Sequence, residues 1–281
     1  MTGSLSVING KTRAYGIIGN PVSHSFSPKM HSSAFAAVGF NGVYLPFPVE
    51  EQDLPRLLEA FVLLQVQGFN VTVPYKEKII PYLDVLTEEA RTLGSVNTVW
   101  RERGLWKGHS TDGPGLVRGL LARRWKLKGK RVQLLGAGGS AKAAAFSLLK
   151  AGVSYLQISN RTLDKAEALA DQLARTFGPG LVGVGLQGQF DLLVNATSLG
   201  LSSDETPLEA GELPRFGRIY DLIYNPPKTR LLREAEACGL EIENGLAMLL
   251  YQGVEAFELW TGKAAPVEVM EEALLSQLRG G

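Results

Sequence analysis

Apolar residues fall in short blocks along the chain, and between the blocks they recur at helical spacing. The blocks at 14–18 (AYGII), 42–47 (GVYLPF), 68–73 (GFNVTV), 131–135 (RVQLL), 154–159 (SYLQIS), 181–184 (LVGV), 191–195 (DLLVN) and 218–223 (RIYDLI) predict strands, with a further short one at 240–242. They are short and bounded by turn residues, as buried strands are. Helical patterns cover 27–38, 51–66, 113–124, 140–152, 162–176, 228–238, 245–260 and 267–278. Strands alternating with helices predict parallel sheets with helices on both faces, an α/β protein. Self-similarity and low-complexity tracts are absent.

KLKGKRV, 126–132, interrupts the pattern. It is short, basic and glycine-containing, and it leads into a new apolar strand, so it reads as the entry to a second domain. The last two helical segments lie beyond that domain's strands and are expected to pack back on the first. The pattern thus predicts a first domain that becomes discontinuous around an inserted second one.

RVQLLGAGGSAKAAAFSLLKAG, 131–152, is the strongest local signal. A strand ends, Gly136-Ala137-Gly138-Gly139-Ser140-Ala141 follows, and an alanine-rich helix begins. Gly136 permits the tight turn and Gly138 lets backbone approach a pyrophosphate. The helix N-terminus offers that anion free N–H groups and a positive dipole end. Ala141 stands where a third glycine is usual and still allows close strand–helix packing. The order strand, glycine turn, helix is the context that makes such a motif informative.

The next strand bears on which dinucleotide is bound. NAD sites place an acid near its end for the ribose 2′-hydroxyl. Here Asn160-Arg161-Thr162 follow, with no acid before Asp164. A guanidinium pairs with phosphate oxygens and stacks on adenine, so NADP is favoured over NAD. NATSLGL, 195–201, is small and hydroxylated, which suits either a loop close to the cofactor or a simple strand exit.

Composition narrows the class. The 281 residues suit one large domain or two ordinary ones, and 45% of them are apolar, enough for real cores. A net charge of +1, from 29 Lys+Arg against 28 Asp+Glu, argues against nucleic-acid or membrane-surface partners. A single cysteine, Cys238, rules out an intrachain disulfide, and three scattered histidines offer no metal-ligand spacing. No signal-like stretch or long apolar run is present, so a cytoplasmic location is expected. A monomer and a homodimer both remain open.

A dinucleotide domain implies hydride transfer, and reduction of a carbonyl needs a proton donor for the developing alkoxide. FNVTVPYKEKI, 69–79, places Lys76 just past an apolar strand that Pro74 cannot continue. GHSTDG, 108–113, places Asp112 at the junction before the second domain. A lysine facing an aspartate can exchange protons, the carboxylate keeping the lysine charged and oriented. Taken singly, each is more simply a solvated charge or a cap. Ser25 and Ser27 precede a helix, where serines serve as caps or, with the helix dipole, grip a carboxylate. Asn97 sits in an apolar run, either as a paired buried group or as a substrate hydrogen-bonder.

With these pieces assembled, the chain resembles the shikimate dehydrogenase family over nearly its whole length. The resemblance implies a discontinuous catalytic domain, 1–111 with 247–281, around a doubly wound Rossmann-type NADP-binding domain, 112–246. The motifs are GNPVSHSFSP (19–28), NVTVPYK (70–76), GSVNT (94–98), GHSTDG (108–113), GAGGSAKA (136–143), NRT (160–162), NATSLGL (195–201), DLIYNPPKT (221–229) and NGLAMLLYQG (244–253). Nine motifs in the family's order are highly specific. The resemblance implies reversible reduction of 3-dehydroshikimate to shikimate with NADPH, and it makes Lys76 and Asp112 the catalytic dyad. It implies that Ser25 and Ser27 hold the substrate carboxylate, and that Thr72, Asn97 and Gln252 bond the ring hydroxyls. Tyr224 would line the same pocket. Gly136, Ala137, Gly138, Gly139 and Ser140 would cradle the pyrophosphate, and Asn160, Arg161 and Thr162 would take the 2′-phosphate. Leu222 and Gly245 would approach the nicotinamide through their backbones.

Two positions depart from the family's usual pattern. Ser110 stands where asparagine is usual, and Ser95 where alanine is usual. The nearest rival is a quinate/shikimate dehydrogenase with broader substrate or NAD use, against which Arg161 and the missing acid speak. A non-catalytic binder on the same fold would be expected to lose the Lys76–Asp112 pair, which is present here.

Overall fold

The computed structural model describes residues 8–280. The chain divides into two compact units, one running to Thr111 and resuming at Gln252, the other Asp112–Tyr251.

The first unit begins with β1 (Arg13–Gly19), α1 (Ser27–Ala37), β2 (Gly42–Pro48), α2 (Leu54–Leu63) and β3 (Gly68–Val71). It continues with β4 (Val85–Leu86), α3 (Glu88–Leu93), β5 (Thr98–Glu102) and β6 (Leu105–His109). The six strands form one sheet in the order β2-β1-β3-β5-β6-β4. β1 is parallel to β2 and β3, but β5 is antiparallel to both β3 and β6. This corrects the expectation of a wholly parallel sheet.

The reason lies in WRERGLWKGH: Arg103 and Gly104 both take positive φ (53° and 82°), closing a two-residue hairpin whose charged strands blur the apolar alternation. β3 also stops at Val71, earlier than expected, because the chain turns there, with the Tyr75 N–H bonded to the Thr72 carbonyl at 2.9 Å. The expected helix over 51–66 is a 3₁₀ turn, Glu51–Asp53, followed by α2, which has Pro55 in its first turn. α3 is capped by the Thr87 hydroxyl, which accepts the Ala90 N–H, and it ends on Gly94 at φ +60°.

The second unit contains α4 (Asp112–Ala122), β7 (Arg131–Leu135), α5 (Gly139–Lys150), β8 (Tyr155–Ser159), α6 (Leu163–Phe177) and β9 (Val182–Val184). It then adds β10 (Leu192–Asn195), β11 (Arg218–Asp221), α7 (Arg230–Ala237), β12 (Glu241–Glu243) and the start of α8 (Leu246–Thr261). The order is β12-β11-β10-β7-β8-β9, and every pairing is parallel. The winding reverses between β7 and β10, the switch point at which doubly wound sheets bind ligands. Ala141, Leu148 and Leu169 pack against one set of sheet side chains, and Phe190, Leu213 and Leu231 pack in a second cluster with Leu193 and Ile219.

α8 crosses from one unit to the other, the division falling between Tyr251 and Gln252 rather than at 246/247. α9 (Val267–Gly280) packs on α1. Trp260, on the far half of α8, donates its indole N–H to the Val99 carbonyl at 3.0 Å. A Cβ on Gly68 would collide with that indole, so glycine lets α8 close on the first sheet.

Candidate active site

In the first unit the candidate residues sit on loops at the ends of β1 and β3 and at the entry to β5. Phe26, rather than a serine, takes the N-cap position of α1 and makes no side-chain cap bond. Ser25 Oγ accepts the Ser27 N–H at 3.2 Å. Ser27 is buried. The Tyr44 phenol lies in the neighbouring strand β2. That phenol donates to Asn70 Oδ1 at 2.7 Å, and burial pushes its pKa well above the ordinary value. Asn70 Nδ2 in turn donates to the Asn97 carbonyl at 3.1 Å and to Thr98 Oγ1 at 3.2 Å. Asn97 Oδ1 accepts the Thr111 N–H at 2.7 Å, and Asn97 Nδ2 donates to Thr111 Oγ1 at 3.0 Å. Asn97 is thus oriented by Thr111 within a polar chain that runs from Tyr44 through Asn70 to Thr111.

Lys76 lies beyond β3 on the turn made by Thr72 and Tyr75. Tyr75 is buried, and its hydroxyl donates to the Val49 carbonyl at 2.6 Å. The Lys76 carbonyl accepts the Val96 N–H at 2.8 Å, and Ile79 is fully buried on the other side. Buried anchors thus fix the backbone on both sides of a half-buried lysine, which an ordinary surface charge does not require. The Thr72 N–H is bonded to the Ile18 carbonyl at 2.9 Å, which places Thr72 beside the end of β1. Gln252 is buried, on the part of α8 that belongs to this unit.

The second unit builds its candidate site from backbone. Gly136 takes φ +110°, a region that favours glycine, and its N–H bonds the Ser159 carbonyl at 2.7 Å. A Cβ there would stand 2.9 Å from the Ala196 carbonyl, so the glycine turn and the 195–201 loop come together at the switch point. Ala137 is buried below the turn, and Ala141 is fully buried where the helix meets the strand.

Gly138 behaves differently. Its φ of −80° suits any residue, and a Cβ would meet no protein atom within 4 Å. Protein contacts do not explain this glycine, whereas a pyrophosphate resting on the first turn of α5, at Gly139 and Ser140, does. The residues present therefore fit a dinucleotide.

Asn160 Nδ2 donates to the Thr162 carbonyl at 2.8 Å, and Thr162 occupies the N-cap position of α6 without a side-chain cap bond. Arg161 between them is exposed, and its guanidinium pairs with no side chain among the described residues. The first acid, Asp164, is already in the first turn of α6. On the other side of the switch point, the Leu222 N–H bonds the Asn195 carbonyl at 2.9 Å, and a Cβ on Gly245 would overlap the Leu222 carbonyl. Tyr224 is half-buried, and burial raises the pKa of its phenol.

The structure thus joins Ser25 to Ser27, the Lys76 turn to the segment before β5 that carries Asn97, and the Leu222 backbone to Gly245. It places Lys76 in the first unit and Asp112, also buried, at the first residue of the second. Sequence reasoning missed Tyr44, Asn70 and Thr98 in the first unit, and Asp221, Asn195 and Thr229 in the second. The available signal was a polar residue inside an apolar run, as in GFNVTV and RIYDLI. Among the described residues no group of histidine, cysteine and acidic side chains is arranged to hold a metal ion, and no helix is long and apolar enough to cross a membrane.

A two-unit α/β chain with a doubly wound parallel sheet and a glycine turn at its switch point is a dinucleotide-binding protein of the Rossmann type. Comparison narrows the class. Residues 17–99 match the model of the shikimate dehydrogenase substrate binding domain, 120–179 that of shikimate/quinate 5-dehydrogenase, and 245–275 that of the shikimate 5′-dehydrogenase C-terminal domain. The NADP(+) shikimate dehydrogenase of Methanopyrus kandleri is 43% identical over 289 residues, covering 98% of this chain and 100% of its own. The Thermus thermophilus shikimate 5-dehydrogenase, solved with NADP(H) and shikimate, superposes with a TM-score of 0.88 at 39% identity, over 95% of this chain and 100% of its own. The Listeria monocytogenes enzyme, solved with shikimate and NAD, gives 0.88 at 35% identity over 95% and 98%. The chain belongs to the shikimate dehydrogenase family.

Proposed function

We propose that this protein catalyses the reversible NADPH-dependent reduction of 3-dehydroshikimate to shikimate. The observation that carries the reading is the full-length likeness to NADP-dependent shikimate dehydrogenases, at 43% identity over 98% of the chain, with Lys76 and Asp112 both in place. The cofactor supplies the hydride when bound. Ser25 and Ser27, at the start of α1, hold the substrate carboxylate, and the bond from the Ser27 N–H to Ser25 Oγ supports a fixed hydroxyl there. Thr72, Asn97 and Gln252 bond the ring hydroxyls, with Tyr224 beside them. Lys76, oriented by Asp112, neutralises the oxygen as it becomes an alkoxide. Gly136 through Ser140 cradle the pyrophosphate, Asn160, Arg161 and Thr162 bind the 2′-phosphate, and the Leu222 and Gly245 backbones face the nicotinamide.

The test is a set of initial rates with shikimate and quinate, each with NADP+ and NAD+, followed at the nicotinamide absorbance. Activity concentrated on shikimate with NADP+ is the expected outcome. Comparable rates with quinate or NAD+ move the protein to the broader-specificity reading. No turnover in any pairing overturns the proposal.

A further inference from the structure

Asp221 ends β11 and is fully buried. Its two carboxylate oxygens collect three donors from three elements. Asn195 Nδ2, at the end of β10, donates to Oδ1 at 3.0 Å, and the Ile223 N–H donates to the same oxygen at 3.1 Å. The Thr229 hydroxyl, in the cap of α7, donates to Oδ2 at 2.6 Å and accepts the Leu232 N–H. Asn195 Oδ1 then takes the Thr197 N–H at 3.1 Å and its hydroxyl at 2.8 Å, so the clamp reaches into the 195–201 loop.

Asp221 therefore fastens two loops at the switch point to one helix cap. One loop approaches Gly136 through Ala196, and the other carries Leu222, against which Gly245 packs. The groups that face it are the Asn195 amide, the Ile223 N–H and the Thr229 hydroxyl, with Tyr220 the titratable neighbour on its own strand. No cation pairs with it among the described residues. Burial accordingly pushes its pKa up to about 6, and the hydrogen bonds only partly offset that rise. A carboxylate kept there works against stability at neutral pH, and an amide of the same shape would avoid the cost. Function explains its retention better than folding does.

We propose that Asp221 is a positioning residue for the dinucleotide, its acceptor-only carboxylate holding the 195–201 and 222–229 loops in the cofactor-binding arrangement. This inference rests on the dinucleotide reading of the second unit. The discriminating variant is Asp221→Asn, which keeps the shape but turns one acceptor into a donor facing Thr229. The full-length protein is titrated with NADP+ by calorimetry from pH 5 to 8, beside thermal melts.

At pH 8 the variant is expected to melt no lower than the parent and to bind NADP+ at least about fivefold more weakly, as loss of charge-assisted bonds implies. The parent's advantage should shrink as pH falls below about 6. The cofactor's 2′-phosphate titrates in a similar range but does so equally in both proteins, so the difference between the profiles isolates Asp221. Equal affinity at every pH overturns the proposal while leaving NADP+ binding by the parent intact. A parent that binds no NADP+ overturns the dinucleotide reading itself. If the variant does not fold, Thr229→Val and Thr229→Ser decide. Parent-like affinity in the serine variant and weaker binding in the valine variant support the clamp, and equal affinity in both overturns it.

Discussion

The two units solve the same problem, placing groups at the ends of strands, by different means. The second unit works with backbone: a positive-φ glycine, a helix N-terminus and close approaches that only glycine allows. Its sheet is wholly parallel, and its features follow from a few adjacent residues. The first unit works with side chains: Tyr44, Asn70, Thr98, Asn97 and Thr111 form a polar chain within a mixed sheet. Those residues come from four separate stretches of sequence. A backbone cradle suits a cofactor recognised by its phosphates, whereas a side-chain array suits a small polyhydroxylated acid, whose stereochemistry must be read group by group.

The largest effect expected belongs to the first unit. Lys76→Ala should lower kcat by about 10²–10⁴, the usual range for one acid–base group, with KM little changed. A rise in KM alone would make Lys76 a binding residue and leave the side-chain array without a reaction.

Asn70→Ala comes next. It strands the Tyr44 hydroxyl and removes the link to Thr98, both buried, and should cost about 2–4 kcal/mol in denaturant unfolding. A cost near zero would mean that the polar chain is not a structural unit.

The units also differ in their response to acid. His31 is fully buried and stacked on Tyr44 at 4.6 Å, and neither ring nitrogen has a hydrogen-bond partner among the described residues. Burial lowers its pKa to about 3. The unfolded chain takes up a proton that the folded one refuses, so the stability from burying neutral His31 is present above 6.5 and lost as pH falls toward 3. The slope is about 1.4 kcal/mol per pH unit, and His31→Phe should remove it from melts between pH 6.5 and 4.5. Asp221 has the opposite sign. Its raised pKa gives a contribution fully present below 3.8 and lost as pH rises through about 6.

The smallest effect concerns Ser95, whose buried hydroxyl has no hydrogen-bond partner among the described residues. Ser95→Ala should stabilise by about 1 kcal/mol, raising Tm by roughly 2–4 °C. A loss of stability would show that the hydroxyl is satisfied in solution.

The same contrast explains what could be read from the chain. The glycine turn and the all-parallel order of the second unit were legible because the succession of strand, glycine turn and helix is local in sequence. Lys76 drew attention because Pro74 follows an apolar run, although β3 itself stops at Val71. The hairpin of β5 and β6 was not, since Arg101, Glu102 and Lys107 hide its alternation. Tyr44 and Asn70 passed as ordinary strand residues, because their roles exist only once β2, β3 and β5 are in place. Asp221 was passed over for the same reason: its three donors come from β10, the following loop and α7.

The most direct test of the account is a kinetic cycle of Lys76→Ala, Asp112→Asn and the double variant, each assayed with shikimate and NADP+. Two residues that act as one acid–base unit are strongly non-additive. The account predicts that each single variant loses most of kcat and that the double variant is scarcely worse than Lys76→Ala. Fully additive losses, or an Asp112→Asn enzyme with near-parental kcat, would contradict it.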